Sequence, residues 1–374
     1  LRPIASGFEL TTTLTQVHCL PKVVTIVGAR PQFIKAAPVS RALRARGHAE
    51  VLVHTGQHYD PNMSEVFFEE LALPPPDYRL DVGPGSHGVQ TGAMLAAIER
   101  VLAAEQPDWV LVYGDTNSTL AGALAAAKMH FKVVHVEAGL RSFDRRMPEE
   151  VNRVLVDHVA DLLLAPGQTA VDNLAAEGVT HGVHIVGDVM AGALADAALR
   201  ARSRSNILER LELTAHGYLL ATIHRAENTD SPTRLTAILG ALASLGERVV
   251  IPLHPRTRKA MAALGGAGVD GPHADRLSFI DPVGYLDMVR LEQSARLILT
   301  DSGGIQKEAY WLGIPCITLR DQTEWVETVT TGWNTIAGAD AQRIASAVRE
   351  ARVPAEHPPL YGDQHAAERI AALL

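Results

Sequence analysis

The segment Leu297-Ile298-Leu299-Thr300-Asp301-Ser302-Gly303-Gly304-Ile305-Gln306-Lys307-Glu308 decides the class of fold. Its first four residues are apolar or β-branched and run directly into Asp-Ser-Gly-Gly, after which helix-forming residues take over. That is the pattern of a strand whose carboxyl end opens onto a helix N-terminus, the unit of a parallel α/β sheet. The two glycines let the backbone approach phosphate oxygens closely, and the unpaired N–H groups of the helix start favour an anion. Glu308 lies one turn further along, placed to reach ribose hydroxyls while phosphate occupies Ser302, Gly303 and Gly304. A glycine turn with no ligand is the alternative to this reading.

The same alternation recurs outward from this segment. Strands are expected at 218–223, 248–252, 277–280 and 316–319, with helices between them. The first half repeats the rhythm with strands at 22–27, 50–54, 109–113, 133–136, 162–165 and 183–186, and Ala-rich helices at 91–104 and 119–128. Pro31 suits the first turn of a helix, where a missing N–H costs nothing. The rhythm restarts after Gly187. Two α/β halves of similar length predict two doubly wound, Rossmann-like domains facing a cleft, with one large sheet as the alternative. The boundaries read as a tail over 1–21, a first domain over 22–187 and a second over 188–357. The C-terminal segment 358–374, amphipathic over 366–374, is expected as a helix packing back on the first domain. A chain of 374 residues is long enough for two such cores.

Composition excludes several classes. No apolar run reaches the ~18 residues of a membrane helix, and the first twenty residues lack the basic start and apolar core of a signal peptide. The chain holds only Cys19 and Cys316, neither in a Cys-x-x-Cys or Cys/His pattern. This points away from a disulfide framework or structural zinc and toward a reducing, cytoplasmic setting. Acidic residues outnumber basic ones 42 to 34, which argues against nucleic acid or a membrane surface as partner. An anionic ligand must then be met by a few placed Arg, His and helix ends.

Ligands of open α/β sheets bind beyond the carboxyl ends of strands, so the residues there carry the functional reading. Gly28-Ala29-Arg30-Pro31-Gln32-Phe33-Ile34-Lys35 follows the first strand. It is no G-x-G-x-x-G fingerprint, so a dinucleotide cofactor has little support, but it sets Arg30 at a helix start and Lys35 about one turn on. Asp115 follows the third strand and reads either as a helix cap or as a functional carboxylate. Glu137 follows the fourth. Glu149 sits in a Pro-initiated first turn, where dipole compensation is the structural alternative. Three carboxylates at neighbouring strand ends form a cluster in which acid and base roles can divide. In the second half, His224 beside Arg225 and His254 close to Arg256 read as an anion clamp.

Taken in order, GARPQFIK (28–35), TGQH (55–58), GDTNSTLAG (114–122), HVEAGLRSFDRRMPEEVNR (135–153), HRAEN (224–228), HPRTR (254–258) and DSGGIQKEA (301–309) resemble the non-hydrolysing UDP-N-acetylglucosamine 2-epimerase family. The resemblance covers nearly everything from Lys22 to the C-terminus. It implies two Rossmann-like domains of the glycosyltransferase-B type, a homodimer, and interconversion of UDP-GlcNAc and UDP-ManNAc. Under it the catalytic carboxylates fall on Asp115, Glu137 and Glu149, supported by Lys35 and His224. The diphosphate falls on Arg30, Ser302, Gly303 and Gly304, with His254 lining the UDP side and Glu308 on the ribose. Neither NAD nor a metal is expected.

Two departures bear on substrate and regulation. Gln57-His58 is followed by Tyr59-Asp60, where many bacterial members continue in a basic pattern tied to an allosteric UDP-GlcNAc site. The common RDTTERPE is here Arg320-Asp321-Gln322-Thr323-Glu324-Trp325-Val326-Glu327. This resembles a branch that includes epimerases of UDP-2,3-diacetamido-2,3-dideoxyglucuronate, whose carboxylate would need a basic partner such as Arg145 or Arg146. The rivals are a UDP-sugar glycosyltransferase of the same fold, a hydrolysing epimerase and a silent UDP-sugar binder.

Overall fold

Short runs rich in Val, Ile and Leu form thirteen strands among the described residues, gathered into two sheets. The computed structural model describes residues 20–57, 68, 70–265 and 272–374. The first sheet contains β1 (Lys22–Val27), β2 (Ala49–His54), β3 (Tyr78–Arg79), β4 (Trp109–Tyr113), β5 (Lys132–Val136), β6 (Leu162–Ala165) and β7 (Val183–Ile185), in the order β3-β2-β1-β4-β5-β6-β7. The second contains β8 (Leu219–Thr222), β9 (Val249–Pro252), β10 (Leu277–Ile280), β11 (Leu297–Thr300), β12 (Cys316–Thr318) and β13 (Asn334–Ile336), in the order β10-β9-β8-β11-β12-β13. Every pairing is parallel. Both sheets are doubly wound, and the strand order reverses at β1/β4 in one and at β8/β11 in the other. Those two switch points are where each lobe opens to a ligand.

Burial on both faces explains the sequence pattern. Val23, Val24, Ile26 and Val27 are all fully buried in β1, as expected for a strand covered by helices on either side. Helix Asn117–Lys128 packs so closely over that sheet that a Cβ on Gly122 would stand 2.8 Å from Ile26 Cδ1 and 3.0 Å from Val112 Cγ1. The strands β3 and β13 escaped the sequence reading. They are two and three residues long and lie at sheet edges, where little apolar surface is buried.

The lobes are tied at their boundary. Helix Val189–Arg204, at the start of the expected second domain, shares the first lobe's apolar core through Val189, Ala193, Leu194 and Ala197. It also packs on helix Tyr285–Ser294 of the second lobe. The C-terminal helix spans Ala366–Leu373 and buries Ala366, Ala367, Ile370 and Ala371 in the same core, against helix Arg30–Arg46. Residues 358–365 are not helical, because Pro358 and Pro359 withhold N–H groups and Gly362 is left-handed at φ 84°. Gly362 crosses Gly187 so closely that a Cβ there would meet Gly187 Cα at 2.9 Å. No described helix is long and apolar enough to cross a membrane.

Candidate active site

Because β1, β4 and β5 are neighbours, the residues that follow them, Gly28, Gly114 and Glu137, stand side by side. Gly114 and Glu137 are both left-handed, with φ 62° and 68°. For a glutamate this costs on the order of 1 kcal/mol. The turn is held by the N–H groups of Glu137 and Ala138, which donate to the Leu164 carbonyl at 3.1 and 3.2 Å. Its carboxylate folds over Gly114 and accepts a hydrogen bond from Lys35 Nζ. A Cβ on Gly114 would lie 3.3 Å from Glu137 Oε2 and 3.5 Å from Lys35 Nζ, so a side chain there would press on the ion pair.

Both members of this pair are mostly buried, at 15% and 9% side-chain exposure. Burial pushes Glu137 up, but the Lys35 and Lys307 ammonium groups prevail and hold it below the ordinary carboxylate value. Burial pushes Lys35 down, and the charges of Glu137, Asp115 and Asp188 hold it above its ordinary value. The pair is ionised at neutral pH.

Asp115 is not the cap of the helix after β4. Thr116 is, its Oγ1 accepting from the Thr119 N–H at 3.3 Å. The Asp115 carboxylate pairs with Arg153 instead, and its carbonyl accepts from Asn152 Nδ2 at 2.9 Å. Asp115 therefore joins Lys35 and Glu137 in one cluster. Glu149 does not join it: its side chain is exposed and makes no hydrogen bond or ion pair among the described residues. The buried carboxylate of that helix is Glu150, which accepts from the N–H groups of Ser142 and Phe143 at 2.9 Å each and pairs with Arg153 at 3.2 Å.

Sequence reasoning passed over the groups that brace these turns. Gln32 Oε1 accepts from the Gly28 and Ala29 N–H groups at 2.8 and 3.0 Å, while its Nε2 donates to the Tyr113 carbonyl at 2.9 Å. That amide pins the first helix to the end of β4. The His135 ring bridges the Gly114 carbonyl and Asp157 Oδ1, each at 2.7 Å. Asp157 Oδ2 in turn accepts from Gly139 N–H and Arg141 Nη1 at 3.1 and 2.7 Å. A histidine inside an otherwise apolar strand was the available signal.

In the second lobe the organising group is Asp301, fully buried after β11. It accepts from the backbone N–H groups of His224 and Arg225 and from Asn228 Nδ2, all at 3.0 Å. His224 Nδ1 stands 3.2 Å from the same carboxylate, which directs Nε2 away from it. The His254 ring lies 5.5 Å from that of His224, and its Nδ1 accepts from the Arg256 N–H at 3.2 Å. Arg256 is half exposed, its Nε 3.7 Å from Asp230.

Ser302 caps helix Gly303–Trp311, its Oγ accepting from the Ile305 N–H at 3.4 Å. Around Gly303, an added Cβ would meet Trp325 Nε1 at 3.2 Å, Glu324 Oε2 at 3.8 Å and Arg225 Nη2 at 3.9 Å. Glu308 is buried on the same helix. Lys307, its neighbour, pairs with Asp188 at 2.5 Å, so this helix meets the start of helix Val189–Arg204 at the lobe boundary. Arg145 is exposed and Arg146 is paired with Asp144 at 2.7 Å on an exposed loop. The Arg30 side chain, the tail before Leu20, and His58, Tyr59 and Asp60 of the regulatory pattern lie outside the described residues. Among the described residues no group of three or more His, Cys, Asp or Glu is disposed to hold a metal.

Two doubly wound lobes, with a carboxylate–lysine cluster at the strand ends of one and a capped Ser-Gly-Gly helix start at a strand end of the other, define a protein of the glycosyltransferase-B architecture. Comparison with known proteins narrows this. The family model for UDP-N-acetylglucosamine 2-epimerase matches residues 41–374. The chain is 54% identical over 324 residues to a UDP-N-acetylglucosamine 2-epimerase homolog of Methanococcus maripaludis, covering 86% of this chain and 90% of the relative. It is 50% identical over 362 residues to the UDP-2,3-diacetamido-2,3-dideoxy-D-glucuronate 2-epimerase of Pseudomonas aeruginosa, covering 94% and 99% of the two chains. The crystal structure of the Methanocaldococcus jannaschii UDP-GlcNAc 2-epimerase in complex with UDP-GlcNAc and UDP superposes with a TM-score of 0.83 at 42% identity, over 94% and 99% of the chains. The chain belongs to the UDP-N-acetylglucosamine 2-epimerase family.

Proposed function

We propose that the protein is a non-hydrolysing 2-epimerase that interconverts UDP-GlcNAc and UDP-ManNAc. The observation that carries this reading is the buried Glu137–Lys35 ion pair at the strand ends of the first lobe, with Asp115 in the next turn, together with the capped Ser302–Gly303 helix start at a strand end of the second. The chemistry needs both lobes. The hydrogen at C2 of the closed sugar is adjacent to no carbonyl, and it becomes acidic only as the C1–O bond to UDP breaks. A base takes the C2 proton, the C–H electron pair becomes the C1=C2 bond of a 2-acetamidoglucal, and the C1–O pair leaves on the β-phosphate. UDP then adds back at C1 while an acid protonates C2 on the opposite face.

Asp115, Glu137 and Glu149 are assigned the proton work, with Lys35 and His224 in support. Ser302, Gly303, Gly304 and Arg30 would grip the diphosphate, His254 and Arg256 would line the UDP side, and Glu308 would hold the ribose. The exposed position of Glu149 fits an open cleft that closes on substrate to exclude water. The scheme uses neither NAD nor a metal.

A second substrate is favoured by the Pseudomonas aeruginosa relative, which matches 94% of the chain: UDP-2,3-diacetamido-2,3-dideoxyglucuronate. Arg145 is the better basic partner for its carboxylate, since Arg146 is engaged by Asp144. Incubating the enzyme with each nucleotide sugar in D2O and following C2 by NMR tests both readings. Deuterium at C2 with inversion is expected. Sugar transfer to an acceptor, release of free ManNAc, or no exchange with either would overturn the proposal.

We place the protein in the cytoplasm as a homodimer. Supporting the dimer, Met147, Val151 and Leu155 recur every four residues on one helix face and are 36%, 42% and 49% exposed, with Phe143 at 78% beside them. A second copy of the chain would cover that stripe.

A further inference from the structure

The indole of Trp325 ends in a donor that the protein itself leaves unused. Its Nε1 is buried and has no hydrogen-bond partner among the described residues. Burying a donor unpaired is costly, so one that stays unpaired calls for a reason. The position of the ring supplies one. A Cβ built on Gly303 would stand 3.2 Å from Nε1, so the indole nitrogen closes onto the first residue of helix Gly303–Trp311, an approach that any side chain at that residue would crowd.

The ring is held there from several sides. The Lys307 ammonium lies over its face, 4.2 Å from the centroid, and is itself fixed by Asp188 at 2.5 Å. Tyr361 packs edge-on against it at 5.5 Å. The Trp325 backbone N–H donates to Thr323 Oγ1 at 3.2 Å, and its carbonyl accepts from Thr328 Oγ1 at 2.7 Å. A donor fixed this firmly costs little further order when a ligand arrives.

Two charged groups stand near it. Glu324 Oε2 is 3.8 Å and Arg225 Nη2 is 3.9 Å from the same Cβ position. The glutamate is neutralised by Arg320, which donates to both its oxygens at 2.9 and 3.0 Å. Arg225 is exposed and makes no side-chain hydrogen bond or ion pair among the described residues, which leaves a positive charge beside the helix start. A fixed neutral donor, a spare cation and the free N–H groups of a helix start together suit the oxygens of a phosphate.

Resting on the 2-epimerase reading, we propose that Trp325 is a further diphosphate-binding residue, donating its indole N–H to a phosphate oxygen of the UDP leaving group at the Gly303 helix start. Ser302, Gly303 and Gly304 would offer backbone donors there, and Trp325 adds a side-chain donor from a separate segment of the second lobe. As the C1–O bond breaks, charge builds on the diphosphate and this hydrogen bond strengthens, so the residue grips UDP while it is detached.

The test reads the indole N–H signals of isotope-labelled protein by NMR. The tryptophans are Trp109, Trp311, Trp325 and Trp333, and the Trp325 signal is assigned by its loss in Trp325→Phe. On saturation with UDP it should move downfield, as an N–H does on meeting an anionic oxygen, and saturation with uridine should leave it in place. Trp311, whose Nε1 is also buried without a partner among the described residues, is the control and should not follow it. Trp325→Phe keeps the ring packing and removes the donor. Its melting temperature should stay near that of the wild type while UDP binds about 10-fold more weakly by calorimetry, the scale of a hydrogen bond to a charged group. If that variant fails to fold, Trp109→Phe, Trp311→Phe and Trp333→Phe assign the other signals and leave that of Trp325 by elimination. A Trp325 signal unmoved in the UDP complex, equal shifts of Trp325 and Trp311, or wild-type UDP affinity in Trp325→Phe overturns the proposal. None of these readouts needs turnover. UDP binding without C2 exchange counts against the proposed function alone, whereas failure of the wild type to bind UDP ends both.

Discussion

Replacing Asp157 by Asn tests whether the first lobe's site is braced as described. Both oxygens of this carboxylate are used: Oδ1 by His135 at 2.7 Å, Oδ2 by Gly139 N–H at 3.1 Å and Arg141 Nη1 at 2.7 Å. Asp157 and His135 are fully buried and Arg141 is 1% exposed at its side chain. An amide in that place keeps one acceptor but turns an NH2 group onto a donor, and it leaves the guanidinium without its buried counter-charge. Breaking a buried pair by removing one partner costs about 3–5 kcal/mol. Arg141 keeps its bidentate contact with Glu177 at 2.8 and 2.7 Å, so the low end, about 3 kcal/mol, is expected. Against a typical total of ~5–15 kcal/mol this is a large fraction. The assay is urea unfolding followed by far-UV circular dichroism across pH. Burial pushes Asp157 up, but His135 and Arg141 hold it below its ordinary value. A depressed carboxylate contributes stability that is fully present above its unfolded pKa, near ~4, and is lost as pH falls through the folded value. The gap between wild type and variant should be constant from neutrality to about pH 5 and shrink below that. A loss under about 1 kcal/mol, or a gap that widens in acid, would refute the bracing argument.

Two further expectations concern the cluster itself. Asp115→Asn and Glu137→Gln should each lower kcat by at least ~10²-fold, the usual scale for an acid–base group, as read from C2 deuterium exchange; near-normal turnover in both would remove them from the chemistry. Gly114→Ala should cost about 1 kcal/mol for its left-handed backbone and lower kcat as well, because the new methyl stands 3.3 Å from Glu137 Oε2. A variant with an intact melting temperature and full activity would show that the turn has slack.

The architecture was legible wherever a strand is a β-branched or aliphatic run stopped by a turn residue. Trp109–Tyr113, Leu162–Ala165 and Leu297–Thr300 match their expected bounds because they are interior strands, buried almost throughout and nearly all apolar; Leu277–Ile280 matches too, its aliphatic and aromatic residues marking it although it lies at an edge. Tyr78–Arg79 and Asn334–Ile336 carry no such pattern, since an edge strand buries little. The helix expected over 358–374 spans only Ala366–Leu373, the amphipathic part, because Pro358 and Pro359 cannot donate the hydrogen bonds a longer helix would need.

The candidate site was legible to the extent that its residues sit at strand ends, and no further. Asp115, Glu137, His224 and Ser302 follow strands directly, so their position along the chain announces them. What holds them comes from elsewhere in the sequence: Asp157 lies 22 residues from His135, and Lys307 lies 119 from Asp188. No spacing rule spans such separations, because the fold alone brings the partners together. Glu149 and Glu150 show the same limit within one helical turn. Adjacent helical positions point about 100° apart, so one carboxylate must face the solvent side and the other the protein. The motif singles out the first for chemistry, whereas packing commits the second to Ser142, Phe143 and Arg153. Since Arg153 also holds Asp115, the buried glutamate reaches the cluster through that arginine, and the exposed one stays outside it.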